Sequence, residues 1–434
     1  MKPFFWRLIQ VLGLLLALLA AGVVWDNWGR GRSPDSRHAA TTDAAPSSAT
    51  LEQGLQLLRA GNCMACHTQR GGEPLAGGRA IDTPFGKVYS SNLTPDASGL
   101  ADWSSDDFWQ ALHWGRSRGG RLLAPAFPYN HTSVITREDS DAMFHWLRSQ
   151  RPVRQVQPPH EIVWPLGTQA GLAVWRSLFF SPSPFRPDAQ QSAQWNRGAY
   201  LVQGLGHCAA CHSPRNALGA SGAVSNLSGG LMPVVNWYAP DLTDDAETGL
   251  ASTPVADIVR LLRTGVSARA QTSGPMAEVV QHGLQYLGED DLTAMAVYLQ
   301  SRARSRTPPA QALTAGAGTV RADVAQRGVK VYERHCAQCH GEQGLGVAGA
   351  YPALAGNRAV LLRDPTNLVQ VVLYGGYSPV TAGHPRPFGM PPGILELDDR
   401  DIAAVLTHLR TRWGNQAPEV TALQVNRIRA QQGE

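Results

Sequence analysis

Six cysteines occur in the 434 residues, and all six fall into three copies of one pentapeptide. These are Cys63-Met-Ala-Cys66-His67, Cys208-Ala-Ala-Cys211-His212 and Cys336-Ala-Gln-Cys339-His340. A Cys-x-x-Cys-His run is the attachment pattern of a covalent haem. Two thiols one helical turn apart add to the two vinyl groups of a single porphyrin, and the adjoining histidine is held beneath the iron as its proximal ligand. Competing chemistries fit less well. Zinc needs four ligands per ion, and pairs more than a hundred residues apart would have to meet in space to supply them. A thioredoxin-like redox site uses Cys-x-x-Cys on a βαβ background, which is missing here. Disulfides within the pairs leave the three following histidines unexplained. The reading is three covalent haem c groups. Cys63, Cys66, Cys208, Cys211, Cys336 and Cys339 attach them, and His67, His212 and His340 are the proximal iron ligands.

A class I cytochrome usually binds iron with methionine opposite the histidine, which raises the reduction potential. Met390, in Phe388-Gly-Met-Pro-Pro392, and Met276, in Ser273-Gly-Pro-Met276, stand on proline- and glycine-bearing stretches read as loops. Both are candidate distal ligands. The first unit departs from this pattern. No methionine lies between His67 and Met143, and the corresponding stretch reads Pro125-Ala-Phe-Pro-Tyr129. Phe127 stands 20 residues before Leu147, as Met390 stands 19 before Leu409, so a residue that cannot bind iron fills the slot. His131 is the candidate substitute; the alternative is an open or water-ligated iron. His113, which matches Arg263 of the second unit, is expected to face water, and Met143 to be core.

Positioning these groups takes helices. Each unit opens with a short helix that carries a glycine: Gly54-Leu-Gln-Leu-Leu58, Gly198-Ala-Tyr-Leu-Val202 and Gly328-Val-Lys-Val-Tyr332. Each closes with an amphipathic helix whose apolar residues recur at three and four. Those helices run from Asp139 to Leu147, Asp291 to Leu299 and Asp401 to Leu409. The aspartate falls in the first turn, where the helix dipole favours negative charge. The glycine would let the two helices cross at short range. The fold class is therefore mainly α, three tandem class I cytochrome c domains after an N-terminal hydrophobic segment. The boundaries are a signal-anchor or signal peptide over 1–30, a flexible tether over 31–50, and domains at 51–155, 194–303 and 321–415. An aromatic-rich linker spans 156–193, a flexible one 304–320, and a tail 416–434.

Lys2 and Arg7 precede an apolar run from Leu8 to Val24. At roughly 17 residues it reaches the low end of a spanning length. Its apolar character continues through Val23-Val-Trp25 without the usual polar cleavage region, which favours an uncleaved anchor over a removed signal peptide. Either exports the body, to the periplasmic side of a bacterial inner membrane. A net charge of +4 points to no nucleic acid. Within the first linker, residues 161–185 hold Trp164, Trp175, Leu178, Phe179, Phe180 and Phe185. This stretch is either a strap packed between the first two haem domains or a docking surface for a partner subunit or the membrane.

Over residues 51 to about 425 the chain resembles the tri-haem cytochrome c subunit of membrane-bound bacterial dehydrogenases. The resemblance is carried by Asn196-Arg-Gly-Ala-Tyr-Leu-Val202, His207-Cys-Ala-Ala-Cys-His-Ser-Pro-Arg215 and Trp237-Tyr-Ala-Pro-Asp-Leu-Thr243. Gly274-Pro-Met-Ala-Glu-Val279 and Thr411-Arg-Trp-Gly-Asn415 add to it. It implies a larger partner subunit that oxidises an alcohol, aldehyde, sugar or N-heterocycle with PQQ, flavin or molybdopterin. Electrons would pass through the haems to ubiquinone or a terminal oxidase. Alcohol and gluconate dehydrogenase cytochromes usually read Pro-Ala-Met-Pro where this chain has Pro125-Ala-Phe-Pro128. Together with residues 381–392, that departure resembles cytochromes accompanying molybdenum hydroxylase-type enzymes, and so implies a molybdopterin subunit with an iron–sulfur subunit. In single-haem relatives a proline carbonyl placed like Pro352, twelve residues after His340, orients the ligand histidine. A rival function is a peroxidase or small-ligand reductase acting at an open first haem; a third is a tethering module with haems as structural cores. No nucleotide loop or hydrolase signature accompanies either.

Overall fold

Three times along the chain, a helix with a glycine near its middle crosses a helix that carries aspartate in its first turn. In the computed structural model, which describes residues 2–29, 46–232, 234–304 and 320–431, the opening helices are Ser48–Ala60, Ala193–Gln203 and Ala322–His335. The closing helices are Arg137–Arg148, Glu289–Arg302 and Asp399–Thr411. A Cβ added at Gly54, Gly198 or Gly328 would stand 2.1, 2.0 or 2.4 Å from the carbonyl oxygen of Ala142, Ala294 or Ala404. Only a residue without a side chain permits that approach. The residue before each glycine then binds the aspartate of the closing helix. Gln53 Nε2 donates to Asp139 at 2.8 Å, Arg197 to Asp291 at 2.8 Å, and Arg327 to Asp401 at 2.8 Å. One contact set is thus built three times, with glutamine in the first pair where the other two have arginine.

Between each pair runs a middle helix: Ser105–Trp114, Val255–Thr264 and Thr366–Tyr374. Each stops at a glycine with positive φ, Gly115, Gly265 or Gly375, the usual helix C-terminal signal. The turn it makes feeds the stretch that holds Phe127, Met276 or Met390. The mainly α expectation holds, with two small antiparallel additions. Strands β1 (Ala80–Thr83), β2 (Gly86–Tyr89) and β3 (Glu161–Ile162) form one sheet, with Ala80 opposite Tyr89 and Lys87 opposite Glu161. Strands β4 (Ser228–Met232) and β5 (Trp237–Asp241) form the other, with Ser228 opposite Asp241.

The chain divides into two compact units, residues 1–57 with 66–185 and residues 58–65 with 186–434. In the first, the apolar helix Lys2–Val24 continues as a π-helical turn, Trp25–Gly29. The stretch Phe4–Gly29 is long and apolar enough to cross a membrane, with mean hydropathy 2.4. Its end does not swing free. Val23 and Trp28 pack on Leu122, Leu172 and Ala173, the last two in the helix Gln169–Phe179 of the aromatic linker. That linker helix turns Leu172, Ala173 and Arg176 inward, so on this side it is a packed strap.

In the second unit, Asn367 acts as an extra strand residue. Its side chain accepts from Tyr238 N at 2.8 Å and donates to Tyr238 O at 2.7 Å. Gln370 Nε2 donates to Asn236 O at 3.0 Å. The second and third helix pairs are thereby joined through β5. The segment expected as a tail carries a helix, Ala422–Ala430, and Val420, Val425 and Ile428 belong to the third core. The expected tether and flexible linker lie mostly outside the described residues. What is described of the tether shows the first opening helix already under way at Ser48.

Candidate haem-binding sites

Each Cys-x-x-Cys-His segment folds as a short helical turn directly after its opening helix, over Cys63–His67, Cys208–Ala210 and Ala337–His340. The six thiols are not paired into disulfides. Among the described residues no three His, Cys, Asp or Glu side chains converge, so the pairs are not gathered into the four-ligand cage that zinc takes. What the turns present instead is one thiol pair and one imidazole each.

The three imidazoles are held alike. His67 Nδ1 lies 2.7 Å from the carbonyl oxygen of Ser91, His212 Nδ1 2.8 Å from that of Pro240, and His340 Nδ1 2.9 Å from that of Pro352. A carbonyl can only accept, so Nδ1 carries the proton and donates, and Nε2 keeps its lone pair for a metal. That is the tautomer a metal-ligating histidine needs. Burial pushes all three imidazoles below their ordinary value, against the opposing effect of the carbonyl bond, which keeps the ligating neutral form. The Pro352 expectation is met in the third unit, and equivalents exist in the other two, at positions that the spacing of the third does not give. A signal is nevertheless present. Ser91 precedes Asn92-Leu-Thr94 and Pro240 precedes Asp241-Leu-Thr243. In each, the Asx oxygen accepts from the threonine N–H and hydroxyl two residues on, at 2.6 to 2.8 Å.

A glycine completes each cradle, and residue type alone does not single these glycines out. Gly77 N donates to His67 O, Gly229 N to His212 O and Gly346 N to His340 O, at 2.7, 2.9 and 2.8 Å. All three have positive φ. A Cβ at Gly77 would sit 2.5 Å from Ser91 O, at Gly229 2.7 Å from Asp241 N, and at Gly346 2.4 Å from Tyr351 O. The glycine therefore brings the carbonyl-bearing segment against the ligand turn. These cradles fit a covalent haem. In the third unit the fit extends to the walls, because Cys336, Ala337, Leu368, Tyr374, Met390 and Trp413 form the partly buried margin of one apolar core.

Met390 is half-buried on that margin, and its backbone is pinned by a two-way bond with Gly376, at 2.8 and 3.1 Å. Met276 is half-buried too, but it stands in the first turn of the helix Gly274–His282. The loop expected there is helical because Pro275 suits a helix's opening turn. Gly274 lets the chain pass the indole of Trp237, which a Cβ would meet at 2.5 Å. Phe127 is half-buried like the two methionines, whereas His131, in the short helix Tyr129–Thr132, is only 2% exposed. Met143 is core, at 1%. His113 corrects an expectation: it does not face water. It is buried, stacked on Trp109 at 4.4 Å and edge-on to Trp114 at 5.3 Å. The physical reason is the aromatic pair beside it, whereas Arg263 at the matching position reaches Glu289 in solvent.

Residues 325–413 match the family model described as Cytochrome c. The gluconate 2-dehydrogenase cytochrome c subunit of Pantoea cypripedii is 38% identical over 90% of this chain and 92% of its own length. The cytochrome c subunit of the alcohol dehydrogenase (quinone) of Gluconacetobacter polyoxogenes is 38% identical over 90% of this chain and 86% of its own. A nicotinate dehydrogenase subunit of Pseudomonas putida is 39% identical over 96% of this chain but 34% of its own length.

Proposed function

The chain belongs to the cytochrome c subunits of membrane-bound dehydrogenases, and from that premise we propose that it is a tri-haem electron relay built of three tandem class I domains. Bound haem c supplies a one-electron iron couple at each site. The protein's own residues do the rest. The paired cysteines hold each porphyrin, and His67, His212 and His340 present Nε2 to the iron. Ser91, Pro240 and Pro352 fix the ring orientation and raise its basicity through Nδ1. Met276 and Met390 are the distal ligands of the second and third haems. At the first haem Phe127 fills that slot and cannot bind. His131 is the candidate ligand there, and an open iron is the alternative.

The carrying observation is the threefold recurrence of the histidine, carbonyl and glycine cradle. Electrons enter from a dehydrogenase catalytic subunit and leave to ubiquinone or a terminal oxidase, on the periplasmic side of the inner membrane. The favoured partner is a molybdopterin enzyme with an iron–sulfur subunit, acting on an aldehyde or N-heterocycle. The Pro125-Ala-Phe-Pro-Tyr129 stretch and the likeness to part of a nicotinate dehydrogenase support that choice. A flavin or PQQ partner is the other branch, supported by the gluconate and alcohol dehydrogenase relatives. A peroxidase or reductase at the first haem is not favoured, because the relatives are cytochrome subunits of dehydrogenases.

The test is to purify the complex from membranes, identify the partner's cofactor and add its substrate. All haem α-bands should reduce within turnover. Haems that stay oxidised while the dehydrogenase reduces an added dye would overturn the relay.

A further inference from the structure

Between Glu161 and Arg186 the only charged residue is Arg176, and Arg176 is buried, 2% exposed. Its Nη2 donates to Trp114 O at 2.7 Å and its Nε to Asn27 Oδ1 at 2.9 Å, and its guanidinium covers the rings of Tyr129 and Phe180. Between those two ends the strap therefore shows solvent no charge. What it does show is apolar. Val163, Trp164, Val174 and Leu178 are 54, 84, 50 and 64% exposed. Ala170, Val174 and Leu178 follow at four-residue spacing, which puts them on one helix face, opposite the buried Leu172, Ala173 and Arg176.

The place of this face is set by the apolar helix. Asn27, at the end of that helix, donates from Nδ2 to Ala173 O and to Ser177 Oγ, both at 2.9 Å. Residues 4 to 24 would span about 31 Å at 1.5 Å per residue, close to the roughly 30 Å of a bilayer's hydrocarbon core. Val23, Asn27 and Trp28 then emerge at the headgroup level, and the strap bonded to them lies at that level too. Trp25 and Trp164 are both exposed there, and tryptophan is the residue membrane–water interfaces favour. A surface-lying helix ordinarily needs a charged face for water. Here the second face is packed on protein, so none is required.

We propose that the strap is a second membrane contact, with Val163, Trp164, Val174 and Leu178 seated in the lipid interface beside the anchor. The proposal rests on reading the apolar helix as a retained anchor. It makes the first haem domain sit on the bilayer in a fixed orientation, not hang from a tether.

The test uses the full-length holoprotein in vesicles of phosphatidylethanolamine and phosphatidylglycerol that carry a lipid-borne diazirine. After irradiation, tryptic peptides are mapped by mass spectrometry. Label is expected in the apolar helix and in the two strap peptides that trypsin separates at Arg176, residues 155–176 with Trp164 and residues 177–197 with Leu178. In the double variant Val174→Glu, Leu178→Glu, label in the strap should fall about tenfold while label in the apolar helix stays. Label in the apolar helix alone overturns the proposal, including the case where the strap becomes protected only when the dehydrogenase partner is added, which would make it a protein interface. A mature chain that lacks residues 1–22 yet is labelled in the strap overturns the anchor reading and leaves the membrane contact standing. No label in either overturns both.

Discussion

The Cα of Gly198 lies so close to Ala294 that an added Cβ would stand 2.0 Å from the Ala294 carbonyl oxygen. Replacing glycine by alanine in a helix interior ordinarily gains about 1 kcal/mol. Here the new methyl meets backbone that cannot step aside, and overpacking costs about 1–3 kcal/mol or more. The clash wins. Gly198→Ala should lower the melting temperature and deplete the second haem, whereas Ala199→Ser one position on should leave haem content close to wild type. A Gly198→Ala protein as stable as wild type would refute the close crossing.

Haem stoichiometry tests the repeat directly. Pyridine haemochrome analysis should give three c-type haems per chain, and haem staining should survive denaturing electrophoresis. Replacing Cys336 and Cys339 by alanine should remove one haem and destabilise the third unit, whose apolar core opens onto that site. Fewer than three haems in the mature protein would contradict the reading.

The first haem separates two outcomes. If His131 ligates, that haem should titrate below the haems of Met276 and Met390, because methionine ligation raises the potential. His131→Ala would then give a high-spin iron open to carbon monoxide. If the site is already open, wild type binds carbon monoxide at one haem and His131→Ala changes little. Phe127→Met discriminates further. It should add the near-infrared sulfur-to-iron band and raise the potential of the first haem, and a rise of about 59 mV would be a tenfold bias in electron occupancy.

His113 gives the first unit a pH dependence. Burial pushes it from an ordinary 6.5 down to about 4, against the opposing bond to the Ser133 backbone. The unfolded chain therefore takes up this proton first as the pH falls. Stability is intact above about 6.5 and is lost progressively between about 6.5 and about 4, by at most about 3 kcal/mol. His113→Phe should flatten that part of the melting profile, measured from neutral to mildly acidic buffer. An unchanged profile would place the titration elsewhere.

Asn27 couples the apolar helix to the first domain. Asn27→Ala removes the bond from Arg176 Nε and two further bonds to the strap, and a buried group left unpaired costs about 1–3 kcal/mol. Melting of the first haem's Soret band in detergent should shift down, while the second and third haems melt as before. An unaltered first transition would show that the helix end is only lightly attached.

Much of this molecule is legible in its sequence. Covalent attachment needs two thiols and an imidazole at fixed local spacing, so the proposed attachment residues Cys63, Cys66 and His67 and their two counterparts stand out from the sequence alone. The helix pairs are legible for the same reason: periodic apolar residues, a glycine and an N-terminal aspartate are local signals. The partners of Asp139, Asp291 and Asp401 are less so, although each stands directly before the glycine, because Gln53 takes the place that Arg197 and Arg327 hold in the other two pairs. What lies outside local range depends on the fold. The carbonyls that orient the imidazoles come from 24 residues away at Ser91, 28 at Pro240 and 12 at Pro352, and the Asx-Leu-Thr run after Ser91 and Pro240 marks two of them without saying which histidine they reach. His113 and Arg263 share a sequence position, yet the side chains packed around them bury one and expose the other. The strap shows the division most clearly. Its aromatic composition is plain in the sequence, but only tertiary packing decides which face turns inward, because Arg176 can be buried only where Trp114, Tyr129 and Asn27 converge to satisfy it.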